Sequence, residues 1–250
     1  MKSFRRLLLG LWLALWPFLL WALWTPISFG ALRLAIVVAV VGLCFLPLAE
    51  SPRSRAARIA GAVFLLLGST LALWPAKFRD PHELRSIYLQ RLLAYRNTPY
   101  VWGGENARGL DCSGLMRRAL VDANVEEGFR TRNPALWREA FALWWNDCSA
   151  LEMKNGYGGK LRPRFPASNL NEIPNARLQP GDLAVTQNGV HVLAFVGGKT
   201  WVEADPNLAQ GGDKVILVKS PSRNGWFQMP VQIMRWTQLD ASQIRSHEAP

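Results

Sequence analysis

The sequence predicts an α+β domain carried behind an α-helical membrane anchor. Three long apolar runs fill the first 75 residues. In the 175 residues that follow, helical patterns come first and strand patterns last, which is the order of helices packed on an antiparallel sheet. Charge divides at the same boundary. The first 75 residues hold seven of the 29 basic residues and one of the 18 acids, so the rest of the chain carries only +5 of the net +11. Half the residues are apolar and 19% are charged, which excludes a disordered chain.

Leu7 to Trp24 is 18 residues without a charge, a helix of about 27 Å against a hydrocarbon layer of about 30 Å. Leu34–Ala49 and Ile59–Trp74 are runs of 16, and the second of the three can lengthen if Arg33 snorkels. Trp24 and Trp74 stand at run ends, where indoles favour the headgroup level. Lys2, Arg5 and Arg6 precede the first run, and Arg53, Arg55 and Arg58 lie between the second and third. With basic loops inside, residues 1–75 are expected to cross the cytoplasmic membrane three times, leaving the C-terminal domain on the outer, periplasmic side. A cleaved first run would keep that sidedness, whereas two spans plus a surface-lying segment would reverse it.

Asp80-Pro81-His82-Glu83 reads as a helix start, and Leu84, Ile87, Tyr88 and Leu92 continue at helical spacing to a stop at Asn97-Thr98-Pro99. Gly103, Gly104 and Gly109 mark a loop, and Ser113–Ala123 and Pro134–Trp145 read as helices. The Trp137, Trp144 and Trp145 stripe is read as core, with a sugar- or membrane-facing subset open. Residues 154–181, rich in Gly, Pro and Asn, read as irregular. Strands are expected at Asp182–Thr186, Val190–Val196, Thr200–Ala204, Lys214–Lys219 and Gln232–Thr237, with a Gln187-Asn188-Gly189 turn and a loose tail over 240–250.

Cys112 ends the glycine-rich loop and opens a helix. There the unpaired N–H groups and the helix dipole favour thiolate and can receive an oxyanion. Of the three histidines, His82 sits in a helix cap beside the anchor and His247 in the tail. His191 begins a candidate strand, the better platform for a general base. A third group usually fixes the imidazole tautomer, and Glu203 is the candidate, with Asp205 its rival. Asp111 reads as an N-cap. Cys148, in a second Asp-Cys-Ser, reads as structural, with a Cys112–Cys148 disulfide switch as a minor possibility, and Cys44 reads as packing within a span.

Tyr100-Val101-Trp102-Gly103-Gly104, Asp111-Cys112-Ser113-Gly114-Leu115, Leu178-Gln179-Pro180-Gly181-Asp182-Leu183 and Gly189-Val190-His191-Val192, followed by Trp201-Val202-Glu203-Ala204, resemble the NlpC-type cell-wall peptidases. The blocks fall in that family's order across most of residues 84–237. The resemblance implies a papain-like fold over residues 76–239 and hydrolysis of amide bonds in peptidoglycan stem peptides, often beside a D-glutamyl γ-linkage. It makes Cys112 the nucleophile, His191 the base, Glu203 the third polar group (where His is common) and Tyr100 a hydroxyl near the thiol. Trp102, Asp111 and Ser113, which flank these positions in the matching blocks, are assigned to the substrate cleft. The segment 124–176 stands out as an insertion, and the three apolar runs occupy the end where a wall-binding module would sit.

No metal or organic cofactor is expected, because the Cys and His residues do not group at ligand spacing and Gly103-Gly104 lacks a phosphate-loop ending. Nucleic acid is not an expected partner; peptidoglycan peptides and the lipid bilayer are. Two rival functions remain: a catalytically silent wall-binding scaffold, and an acyltransferase of the same Cys-His type.

Overall fold

In the computed structural model, which describes residues 2–50, 55–75, 77, 79–207 and 213–240, three helices precede the α+β domain. They are α1 (Lys2–Trp24), α2 (Gly30–Glu50) and α3 (Arg55–Leu73). Among the described residues, one span, Arg6–Trp24, is long and apolar enough to cross a membrane; Gly30–Leu46 and Gly61–Leu71 are shorter apolar stretches. Most of the large apolar side chains on these helices face outward, Leu7, Leu20, Leu23, Leu65 and Leu66 among them. An outward apolar surface of this extent needs a non-aqueous neighbour.

The domain begins at α4 (Pro81–Ala94), where Asp80 caps the helix by accepting from the His82 amide at 2.9 Å and Pro81 takes the first turn. A short hairpin, β1 (Glu105–Asn106) with β2 (Gly109–Leu110), leads into α5 (Cys112–Thr131). Then come α6 (Pro134–Trp145) and α7 (Ala150–Lys154), the latter closed by a Ser149/Glu152 capping box. Helix α5 runs eight residues beyond its expected end at Ala123, so the segment 124–176 starts inside a helix that packs on the sheet. It is not a separable block.

The remaining strands are β3 (Leu161–Ala167), β4 (Leu183–Thr186), β5 (Val192–Gly197), β6 (Thr200–Asp205), β7 (Lys214–Lys219) and β8 (Val231–Trp236). They form an antiparallel sheet in the order β3-β8-β4-β5-β6-β7. Five match expected strands to within two residues. The sixth, β3, falls in the stretch expected to be irregular. Its Pro163 and Pro166 are tolerated because β3 is an edge strand, and the ladder to β8 slips between Pro163 and Phe165. The tail after Asp240 lies outside the described residues.

Period-2 alternation divides the sheet's two faces. Leu183, Val185, Val192, Ala194, Val202 and Ala204 pack with α4 and α5. Ala184, Leu193, Phe195, Trp201 and Ile233 pack on the other face against Leu170, Leu178 and Phe227. With both faces covered, the central strands read as unbroken apolar runs. Across α6 it is Leu136, Ala140 and Leu143 that are buried, while Trp137 and Trp144 are half-buried and Trp145 is exposed. Trp144 still packs against the core and the Trp137 indole nitrogen is buried, so of the stripe expected in the core only Trp145 faces outward.

Candidate active site

The loop carrying Tyr100 and Trp102 folds back on the start of α5. Asp111 makes the turn: its Oδ1 accepts from the Gly114 amide at 2.6 Å and the Ser113 hydroxyl at 3.0 Å, and its Oδ2 from the Gly103 amide at 2.9 Å. Burial pushes the Asp111 carboxyl up, only partly offset by these hydrogen bonds. Gly114 is needed because a Cβ there would strike the Gly104 carbonyl. Gly114→Ala should therefore displace the Cys112 helix start, read as a loss of Cys112 alkylation and a clear fall in melting temperature.

His191 lies one residue before β5 rather than within it. It is held by Thr186, whose hydroxyl accepts from the His191 amide at 3.0 Å and whose own amide donates to the His191 carbonyl at 3.0 Å. The imidazole is 1% exposed. Nε2 meets Glu203 Oε2 at 2.7 Å, and His191 lines the same cleft as Cys112. With Nε2 engaged by Glu203, Nδ1 remains for the sulfur. Glu203 Oε1 accepts from Asn224 Nδ2 at 3.0 Å. Trp226 stacks on the imidazole at 4.1 Å between ring centroids, 15° from parallel. Asp205, the rival third group, accepts instead from the Trp226 indole N–H at 3.2 Å and the Asn207 amide at 2.9 Å.

Burial lowers the His191 pKa, but the hydrogen bonds and charges of Cys112 and Glu203 outweigh it and hold the imidazole at about 9. Burial likewise pushes Glu203 up, against the pull of His191. An imidazole held by a buried carboxylate and sharing a cleft with a sulfur is an arrangement used in thiol nucleophilic catalysis. Tyr100 is kept phenolic, raised by burial and then by the neighbouring charges of Cys112 and Asp111. Cys148 is pushed up to about 12, mainly by burial, and stays a protonated thiol. Cys112 and Cys148 are both free.

These groups face a cleft of about 680 Å³. Cys112, His191, Tyr100, Trp102, Asp111 and Ser113 all line it, with Trp102 80% exposed at its mouth. Glu203 stands behind His191, fully buried. Sequence reasoning missed Asn224, Trp226 and Thr186, which fix the imidazole and its carboxylate; no spacing in the chain links them to His191. It also missed a charge network at one end of the cleft. There Glu105 receives both Arg33, at 2.6 Å, and Arg117, and Asp147 receives Arg117 at 2.7 Å. Among the described residues no group of three or more His, Cys, Asp and Glu could hold a metal.

The model of the NlpC/P60 family matches residues 97–235, more than half of the chain. The chain belongs to the NlpC/P60 family. This NlpC/P60 chain is also 40% identical over 58 residues to dipeptidyl-peptidase 6 of Lysinibacillus sphaericus, covering 20% of this chain and 21% of that protein. It thus spans about a fifth of the curated relative it matches. Among solved structures, NlpC1 from Trichomonas vaginalis is similar at 15% identity, with a TM-score of 0.39 over 64% of this chain and 46% of that one. The NlpC/p60 domain of the peptidoglycan hydrolase SagA is similar at 20% identity, with a TM-score of 0.33 over 60% of this chain and 97% of that domain. The papain-like α+β fold expected from the sequence is the fold of this family.

Proposed function

We propose that the protein is a membrane-anchored cysteine hydrolase that cleaves amide bonds in peptidoglycan stem peptides. One observation carries the reading: the thiol at the α5 N-terminus lines an open cleft together with an imidazole that is itself bonded to a buried carboxylate. Cys112 Sγ attacks the amide carbonyl carbon. The oxyanion is received by N–H groups at the start of α5, with the Tyr100 hydroxyl as a second donor. His191 passes its proton to the leaving amine as the C–N bond breaks. The neutral imidazole then takes a proton from water, whose oxygen attacks the thioester and frees the sulfur. Glu203 holds the imidazole and balances its charge.

The test is digestion of purified peptidoglycan by the full-length chain in detergent, with mass analysis of the fragments. New amine and carboxyl ends should appear, and Cys112→Ala should abolish them. Binding without cleavage would favour a silent scaffold, and transfer of the acyl group to an added amine in preference to water would favour an acyltransferase.

The anchor is proposed to cross the membrane three times. Two contacts support this. The segment joining α1 to α2 meets the cleft loop through the Ser28 amide and Gly103 carbonyl at 3.2 Å. The end of α3 meets α6 through Arg138 and the Leu71 carbonyl at 2.7 Å. Both ends therefore share the domain's side, and Lys2, Arg5 and Arg6 of α1 and Arg55 and Arg58 of α3 fall toward the opposite helix ends, as the inside-positive pattern requires. A reporter fused after Pro250 should be active only outside the cytoplasm. Cytoplasmic activity would end the wall-substrate reading.

A further inference from the structure

The cleft and the anchor are not joined by a linker alone. Between α1 and α2, the Pro26 carbonyl accepts from the Glu105 amide at 2.9 Å, the Ser28 amide donates to Gly103, and Ile27 bridges Gly104 as an antiparallel strand would. Gly103 and Glu105 line the cleft. The Gly104 carbonyl in turn accepts from the Asp111 amide at 3.1 Å, next to Cys112. Three chain segments thus lie side by side, Ile27, Gly104 and Asp111. At ~4.8 Å per neighbour, the Asp111 backbone, next to the reacting residue, is about 10 Å from Ile27 in the segment joining α1 to α2.

The clasp is reinforced from beneath. Arg33, in the first turns of α2, is fully buried, bonds Glu105, and donates to the Trp145 carbonyl at 3.3 Å. Helix α6 therefore runs from the end of α3, through Arg138, to the start of α2, through Trp145. It lies across the helix ends with Phe141 and Trp145 exposed and their rings stacked at 5.9 Å. Trp24, at the end of α1, lies under the Arg108 guanidinium at 3.2 Å. Amphipathic rings at this level mark the headgroup layer.

Resting on the anchored-hydrolase reading, we infer the substrate class: a stem peptide whose own carrier is inserted in the same bilayer, that is, a lipid-linked glycopeptide. Headgroups add about 5–8 Å outside the hydrocarbon on each side. A nucleophile about 10 Å from the segment that joins the two helices works close to that layer. The clasp holds the cleft at that height. Even if it opened, residues 74–80 between α3 and α4 would extend to only about 25 Å. A substrate confined to the same surface meets the cleft at a raised effective concentration, whereas wall peptides further out do not.

The full-length protein in unilamellar vesicles tests this with three probes: a synthetic lipid-linked disaccharide peptide, the same disaccharide peptide without lipid, and the lipid-linked form lifted on a rigid spacer of about 12 prolines (~37 Å). The lipid-linked probe should be cleaved at least roughly tenfold faster than the lipid-free one at matched bulk concentration, and the proline spacer should remove that gain. Equal rates for the lipid-linked and lipid-free probes, or a spacer probe as fast as the direct one, would overturn the substrate assignment and leave the hydrolase standing. Rates no higher than those of Cys112→Ala for all three would remove the hydrolase reading, and the substrate class with it.

Discussion

Replacing Glu203 by Gln should lower kcat/KM by about 10³–10⁴-fold, although the side chain is nearly the same size. The reason lies in Asn224. Its amide N–H donates to Glu203 Oε1. The substituted carboxamide must therefore turn its oxygen toward Asn224 and its NH₂ toward His191 Nε2, since the reverse sets donor against donor. Nε2 then has to accept, the ring proton is forced onto Nδ1, and the nitrogen facing the sulfur can no longer take a proton. The pH profile should move as well. In the wild type the imidazolium persists to about 9, so activity should fall on the alkaline side as pH rises through that value. Glu203 is one of the groups that raise this pKa. Its loss lowers the imidazole pKa and moves the alkaline limb to lower pH. The pH dependence of kcat/KM for the two enzymes would show both effects. A Glu203→Gln enzyme with the wild-type limb would contradict the assigned role of the carboxylate.

Asp182→Ala should cause the largest loss of stability, about 3–5 kcal/mol, without touching the cleft. Asp182 is 1% exposed and grips Arg235 through two hydrogen bonds, 2.6 Å from Nε to Oδ1 and 2.8 Å from Nη2 to Oδ2. The same carboxylate accepts from the Gln179 amide at 2.8 Å, closing the turn into β4. Removing it strands a buried guanidinium beside Arg85, whose own pKa is lowered by burial first and then by the charge of Arg235. For a domain of this size the melting temperature should fall by about 10 °C. Asp182→Ala with Arg235→Met should recover much of the loss, because no charge is then left unpaired. A thermal melt of the two variants decides it.

Glu203 and Asp205 show where sequence reasoning stops. Both lie on β6, two residues apart, so period 2 puts them on one face of the sheet and no pattern separates them. The partners that do so, Asn224 for Glu203 and Trp226 for Asp205, come from an irregular segment about twenty residues on. The expected strands and helices, by contrast, were legible because both sheet faces are covered and each expected helix start carries a cap: Asp80, Asp111 and Asn133. Edge strand β3 was not legible, because prolines that argue against a strand are acceptable where one edge has no partner. Nor was the outward position of Trp145, since apolar periodicity does not distinguish a position turned to the core from one turned outward.

By itself the sequence determined the family, the α+β order, the apolar N-terminal runs, and the thiol and imidazole as candidates, because those follow from local propensity and from motifs read in order along the chain. Only the tertiary structure decided which carboxylate backs His191, that Arg33 of α2 reaches the cleft through Glu105, and that α6 lies across the helix ends. Each of those is a contact between residues far apart in sequence. Such contacts are set by how burial and hydrogen bonding are satisfied across the whole fold, and neighbouring residues in the chain carry no record of them.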